Sequence, residues 1–490
     1  MADKQEHQQQ PHGHGHHFLV VAYGMQSHVN PGRALAHRLA RLSCIDGRPI
    51  LATLSVPVAA QRRLFPSPTT MVDKEACSDG VISYVPHSDG FDDGASAPKT
   101  AEDWARRRRA TAASLSAVVA RFAAAGTPVT CIVVTMVGPA MVDVARDHGI
   151  PFAVYWIQPA AVLAAEYHYF HSYDDDHARA REVSLPGLRR PLPVRDFPSF
   201  LVDTTGSVLA KVITEMFREL FESMDRWRPK VLVNTLEELE AGVLAGMRRH
   251  LDLVAVGPML GASADDARIH LFEHDDDVDK KRYMDWLRAR PDSSVVYASF
   301  GSVTKVTRHQ MGEVAAGLRQ CGRPYLLVVR RDGLQDDDDE SSSSLHVPLG
   351  SESCQQGMVV GWCDQLEVLS HPAVGCFVSH CGWNSTIEAM ASGGVPIVGV
   401  PDSFDQPTNA YLVEEEWGVG IRTGRNSDGV LSGTELARCI ELVMGDGARA
   451  VAIRERMKGL KTMAQAAADT GGSVETNLRH FVKTFQALEP

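Results

Sequence analysis

The run GCFVSHCGWNSTIE, residues 375–388, passes from strand-forming residues into a helical pattern. Gly375–Ser379 is predicted as a buried strand, and the helix after it starts at about Gly382 or Trp383. A strand that feeds straight into a helix is half of a parallel βαβ unit. The first turn of such a helix presents unpaired N–H groups and the positive end of the dipole, a natural seat for an anion. His380, Asn384 and Glu388 are spaced by four and fall roughly on one face. Near the helix start, His380, Asn384 and Ser385 suit phosphate. Glu388, a turn and a half deeper, has the wrong sign for phosphate and suits vicinal hydroxyls such as those of a ribose.

The same alternation continues on both sides of this junction. Strands are predicted at Phe18–Tyr23, Ile50–Val56, Val81–Val85, Thr130–Val137, Phe152–Ile157 and Val231–Asn234, with helices such as Pro31–Leu42 and Glu102–Ala124 between them. It restarts with strand Ser294–Phe300, helix Arg308–Gln320 and strands Tyr325–Val329, Gly357–Val360 and Pro396–Val400. Apolar strands alternating with helices give a parallel sheet covered on both faces. The fold class is therefore α/β, with two Rossmann-like doubly wound domains facing across a cleft. A Gln- and His-rich tail, 1–17, is expected to be disordered. Residues 18–258 form the first domain, the acidic stretch 259–279 a linker, and 280–470 the second domain. A last helix in 471–490 is expected to pack back on the first domain. The DDDDESSSS run at 336–344 reads as a solvated loop.

Composition narrows the partners. The chain has 490 residues, 44% hydrophobic and 22% charged, with a formal net charge of −12. Such a chain lacks the basic footprint of nucleic-acid binding, and no apolar run is long enough to insert in a membrane. Nine cysteines, an odd number scattered widely, are no disulfide framework and favour a reducing, cytoplasmic setting. Only Cys376 and Cys381 approach zinc spacing, and no second pair follows, so no metal site is expected. The acidic clusters at 174–176, 275–277 and 336–339 lack histidine partners and read as solvated loops.

Further polar residues gather around the junction. Trp362, Cys363 and Gln365 precede it, Trp362 at a strand end where its ring suits stacking on a base. Asp405 and Gln406 follow it. Taken singly, Trp362 is an ordinary core residue, Glu388 a surface residue and Asp405 a helix cap. Their order within 45 residues, base then phosphate then ribose, favours a nucleotide site. This stretch, Trp362 to Gln406, resembles the signature box of plant UDP-dependent glycosyltransferases of family 1, which act on small lipophilic metabolites. The resemblance extends over nearly the whole chain, including His28 after the first strand and the Ser299-Phe300-Gly301-Ser302 turn.

That resemblance implies the GT-B arrangement and a UDP-glucose donor. Trp362 would stack on uracil, with Cys363 beside it and Gln365 near the uridine. Glu388 would bind the ribose hydroxyls. His380, Gly382, Asn384 and Ser385 would hold the diphosphate, with Ser302 assisting. Trp383, Asp405 and Gln406 would meet the sugar, and a terminal Gln is similar to the glucose-using members. No cofactor beyond the donor is implied, and a monomer is expected. The pattern departs at Gly393-Gly394, where the family usually has one residue. The extra glycine is expected to lengthen a helix C-terminal turn.

For the acceptor half, Pro31 suits a first helical turn and leaves His28 in the preceding loop, a candidate general base. Candidate pocket segments are Val85–Asp93, Trp156–Gln158, Tyr167–Tyr173 and Phe197–Phe200. The family usually orients the histidine with an aspartate after the fourth strand; here the position is Thr135. A hydroxyl bonds an imidazole but does not stabilise imidazolium, so His28 is expected to be a weak base. Carboxylic acids are already ionised at neutral pH. Carboxylates, giving glucose esters, or acidic phenols are therefore the expected acceptors, with flavonoid or anthocyanin hydroxyls as the alternative. A nicotinamide oxidoreductase would need Gly-x-Gly-x-x-Gly after the first strand, and Tyr23-Gly24-Met25-Gln26-Ser27-His28 does not fit. An inert UDP-sugar-binding protein is the other alternative, against which the retained His28 argues.

Overall fold

The computed structural model describes residues 15–65, 77–94, 98–136, 139–172, 181–260, 277–302, 304–330, 333–335 and 356–485. In the first half, Val-, Ile- and Leu-rich strands are buried on both faces and pair in parallel beneath crossover helices. They belong to a nine-stranded sheet. Its parallel strands lie in the order Asp252–Ala255, Lys230–Val233, Phe152–Trp156, Cys131–Thr135, His16–Val21, Arg48–Pro57 and Ser83–His87. Short antiparallel strands Cys44–Ile45 and Cys77–Ser78 complete it. The second half forms a six-stranded parallel sheet in the order Gly357–Val360, Tyr325–Val328, Val295–Ser299, Val374–Ser379, Ile397–Gly399 and Gly420–Arg422.

The first strand begins earlier than expected. His16 and His17, assigned to a disordered tail, are strand residues and buried, because His17 finds partners for both ring nitrogens in Thr127 O (2.8 Å) and Thr53 Oγ1 (2.9 Å). Residues 1–14 of that tail lie outside the described residues, as do 261–276 of the expected linker and the DDDDE loop. Asp277–Asp279, also assigned to the linker, open the helix Asp277–Arg288. Two edge strands, Asp252–Ala255 and Gly420–Arg422, were not anticipated.

After the long helix Ala448–Ala468, the helix Ser473–Lys483 lies against the first domain. The Phe481 ring packs 5.7 Å from Phe18, and Asn477 Nδ2 donates to Ala255 O at 2.8 Å. Among the described residues, no helix is long and apolar enough to cross a membrane, and no acidic, His or Cys cluster could hold a metal ion.

Candidate active site

In a doubly wound sheet, ligands bind where the strand order reverses, beyond the carboxyl ends of the strands. The reversal falls between His16–Val21 and Cys131–Thr135 in the first sheet, and between Val295–Ser299 and Val374–Ser379 in the second. Both reversals open on one cavity of about 450 Å3. His28, Ser302, Trp362, Cys363, Gln365, His380, Gly382, Trp383, Asn384, Ser385, Glu388, Asp405 and Gln406 all line it. Thr135 is buried behind His28, its Oγ1 3.4 Å from His28 Nδ1.

His28 does not sit in a loop. The helix runs Gln26–Arg41, so His28 occupies its first turn and Pro31 lies inside it. A proline in that position removes the N–H that would reach back four residues, to Ser27. The orphaned Ser27 carbonyl is bonded instead by Asn384 Nδ2, at 3.0 Å, from the opposite domain. Thus the preference of proline for a helix start was outweighed by a donor supplied across the cleft. Burial lowers the pKa of His28 to about 4, a contact with Thr135 only partly offsetting it. The Tyr23 ring lies 5.7 Å from that of His28, and Arg107 stacks over Tyr23 while pairing with Asp89 at 2.6 Å.

The second domain forms one connected polar network. Gln365 Nε2 donates to Ser385 Oγ (2.9 Å) and to Glu388 Oε2 (2.8 Å), and Tyr297 OH donates to Gln365 Oε1 (3.2 Å). Cys363 is buried with its sulfur 3.4 Å from the same tyrosine hydroxyl. His380 is packed between two glycines: a Cβ added to Gly301 or to Gly382 would lie 2.5 Å from its Nε2. Burial lowers its pKa to about 4, so it offers an anion an N–H but no charge. Its Nδ1 has no hydrogen-bond partner among the described residues.

The helix after His380 runs Trp383–Glu388 and continues as a π-helix, Ala389–Gly393, capped by Gly394 at φ 66°. The wider π turn holds Gly393, just ahead of that cap. Asp405 and Gln406, beyond it, line the cavity. Gln406 Oε1 accepts from the backbone N–H groups of Asp402 (3.0 Å) and Ser403 (3.1 Å), which leaves its NH2 end for a hydroxyl. Asp405 does not cap its helix; its Oδ2 accepts from Asn409 Nδ2 at 2.6 Å. Burial raises the Asp405 pKa to about 6. The Trp383 indole N–H is committed to Asn234 O across the cleft, 2.7 Å away, so that group is not offered to a sugar.

A family model described as UDP-glucoronosyl and UDP-glucosyl transferase matches residues 207–450. Phloretin 4'-O-glucosyltransferase from Malus domestica is 35% identical, over 97% of this chain and 98% of the relative. The chain belongs to the UDP-glucosyltransferase family. Crocetin glucosyltransferase, chloroplastic, from Gardenia jasminoides is 36% identical over 95% of this chain and 97% of its own. Among solved structures, Os79 from O. sativa in complex with UDP superposes with a TM-score of 0.79 at 29% identity. The match covers 96% of this chain and 100% of that one. The two domains have the GT-B fold of these glucosyltransferases.

The acceptor half of this glucosyltransferase differs from expectation. Ile157, Gln158 and Phe200 line the cavity, but no residue of 85–93 or of the described part of 167–173 does. Tyr167 stacks on His171 at 3.8 Å and packs on Phe221, away from the cavity. The wall comes instead from the helix Val208–Trp227, through Leu209, Ile213, Met216 and Phe217, with Trp104, Met136 and Tyr23. Those four helix residues follow the i, i+4, i+7, i+8 pattern of one apolar stripe, a signal present in the sequence. Leu209 remains 51% exposed at the cavity mouth, beside Val208 at 59%.

Proposed function

We propose that this enzyme transfers glucose from UDP-glucose, with inversion, to a small lipophilic acceptor whose own nucleophile is acidic, a carboxylic acid or an acidic phenol. The pairing of His28 with Thr135, rather than with a carboxylate, carries this reading. A base with a conjugate-acid pKa of about 4 takes a proton poorly from an ordinary alcohol and has little to do for a group already ionised. The acceptor oxygen attacks the anomeric carbon, the carbon–oxygen bond to UDP breaks, and the bonding pair leaves with the diphosphate. His28 receives the acceptor proton where there is one. The helix start at Gly382–Ser385 and the His380 N–H face the departing charge, chemistry that runs on fixed dipoles. Trp362 holds the base, Gln365 and Glu388 the ribose, and Asp405 with Gln406 the glucose. The described cysteines are all free thiols, in keeping with a cytoplasmic enzyme, and we take it to act as a monomer.

A flavonoid- or anthocyanin-type hydroxyl is the second reading. It is favoured by an acceptor wall that, among the described residues, presents no Lys or Arg to a carboxylate. A panel of aromatic acceptors matched in size but graded in acidity separates the two. Rates that climb with acceptor acidity, and a Thr135→Asp variant that gains about tenfold on weakly acidic hydroxyls while gaining nothing on carboxylates, support the first. A flat series with an unresponsive variant leaves the second.

Asp405 has a pH signature. The folded protein holds its proton more tightly than the unfolded chain does, so this group's contribution to stability falls as pH rises from the usual carboxylate range through about 6. Asp405→Asn is therefore expected to melt higher than wild type at pH 7.5, with the gap closing toward pH 4. Glucose transfer is expected to fall at every pH, and the wild-type KM for UDP-glucose to rise below pH 6. Thermal melts and donor titrations at both pH values check this.

A further inference from the structure

We propose that Ser199, a residue of the first domain, is a positioning residue for the sugar end of the donor site, holding the Phe404 turn that carries Asp405 and Gln406. Phe404 has φ 56°, in the left-handed region, where a residue with a side chain is uncommon. Such a conformation persists where its surroundings fix it. Here the fixing comes from across the cleft. Ser199 N donates to Phe404 O at 2.8 Å, and Phe404 N donates to Ser199 Oγ at 2.8 Å. Both backbone polar groups of Phe404 are thus bonded to one serine. The turn is closed from within by Gln406, whose N donates to Ser403 O at 3.2 Å while its Oε1 accepts from Asp402 and Ser403. Phe404, Asp405 and Gln406 all line the cavity, so a change of backbone at Phe404 carries the two polar residues with it.

Ser199 is itself held in place. It opens the short 3-10 helix Ser199–Leu201, and the next residue, Phe200, stacks on Phe217 of the acceptor wall with ring centroids 5.2 Å apart. The segment before it runs along the second domain. There Thr408 Oγ1 donates to Asp196 O at 2.6 Å, Arg422 Nη1 lies 2.9 Å from Asp196 Oδ1, and Tyr411 OH donates to Pro191 O at 3.1 Å. None of those three partners in the second domain lines the cavity, whereas Phe404 does. They fasten domain to domain; the Ser199 pair also shapes the site. Replacing Ser199 by alanine keeps its N–H but removes the acceptor of Phe404 N, and an amide left without a partner drives the turn to rearrange. This inference rests on the reading that Asp405 and Gln406 hold the glucose, and adds the residue that sets them.

The test measures UDP affinity by calorimetry, and kcat and KM for UDP-glucose with one fixed acceptor, in wild type, Ser199→Ala, Tyr411→Phe and Gln406→Ala. In Ser199→Ala, kcat/KM for UDP-glucose is expected to fall about tenfold or more while UDP affinity stays within about twofold, because the uridine and diphosphate contacts lie elsewhere. Tyr411→Phe, which removes a bond of the same segment away from the cavity, is expected to leave both within about twofold. If Ser199 merely braces the domains, UDP and UDP-glucose weaken together, or Tyr411→Phe matches Ser199→Ala; either result overturns the inference. So does a Ser199→Ala enzyme equal to wild type while Gln406→Ala is impaired, which leaves the glucose assignment standing. A Gln406→Ala enzyme as active as wild type overturns the glucose assignment, and this inference with it.

Discussion

Replacing His28 by alanine is expected to lower glucose transfer to phenols and alcohols by about a thousandfold, while UDP affinity stays unchanged. The side chain lines the cavity from the first turn of the helix Gln26–Arg41, and its hydrogen-bonded neighbour is Thr135 rather than an ionised group. The loss is expected to be unequal across acceptors. A carboxylate brings no proton, so the same variant loses only about tenfold on it, the remainder reflecting positioning. Product formation measured on a phenol and a carboxylic acid of similar size gives both numbers from one preparation. Equal losses on the two acceptors would falsify the acidic-acceptor reading; a negligible loss on both would remove His28 as the base.

The second large effect is expected at Gly301→Ala. This residue has φ 77°, a region where a side chain costs about 1–2 kcal/mol. The new Cβ would also fall 2.5 Å from His380 Nε2, well inside contact distance. The ring has little room to retreat, since Gly382 borders the same nitrogen equally closely. Either the turn opens, and Ser302 moves with it, or His380 is displaced within the cavity. A rise of about thirtyfold or more in the KM for UDP-glucose is expected, with the melting temperature falling only slightly. Donor titration alongside a thermal melt checks it, and a KM within a factor of about three of wild type counts against the packing argument.

How much of this was legible in the sequence follows from the distance over which each feature is built. The gathering of Trp362 through Gln406 at one cavity was legible because these residues are near neighbours in the chain, and strand-to-helix junctions declare themselves locally. Gly393-Gly394 was placed at a helix end and lies there, although the π form of that end leaves no signature in residue type. His28 was assigned to a loop because Pro31 signals a helix start. The donor that allows Pro31 inside the helix, Asn384, is 357 residues away from Ser27. Trp383 was given to the sugar, and its partner Asn234 is likewise remote, at 149 residues. The stripe Leu209, Ile213, Met216 and Phe217 was visible as a pattern, but periodicity alone does not distinguish a helix that faces the core from one that walls a cavity. His16 and His17 were grouped with a polar tail, because the threonines that satisfy His17 lie more than thirty residues on.

The half-exposed Leu209 at the cavity mouth bears on how the enzyme lets go of what it makes. On the proposed reading, a lipophilic aglycone sheds water from its own apolar surface as it slides past this side chain, so the passage inward is downhill. Its glucoside carries a crown of hydroxyl groups that would have to be stripped of water to retrace that path, and nothing on that leucine can replace the lost hydrogen bonds. The rim therefore discriminates between the acceptor and its conjugate by solubility alone, a bias against product inhibition that requires no moving part.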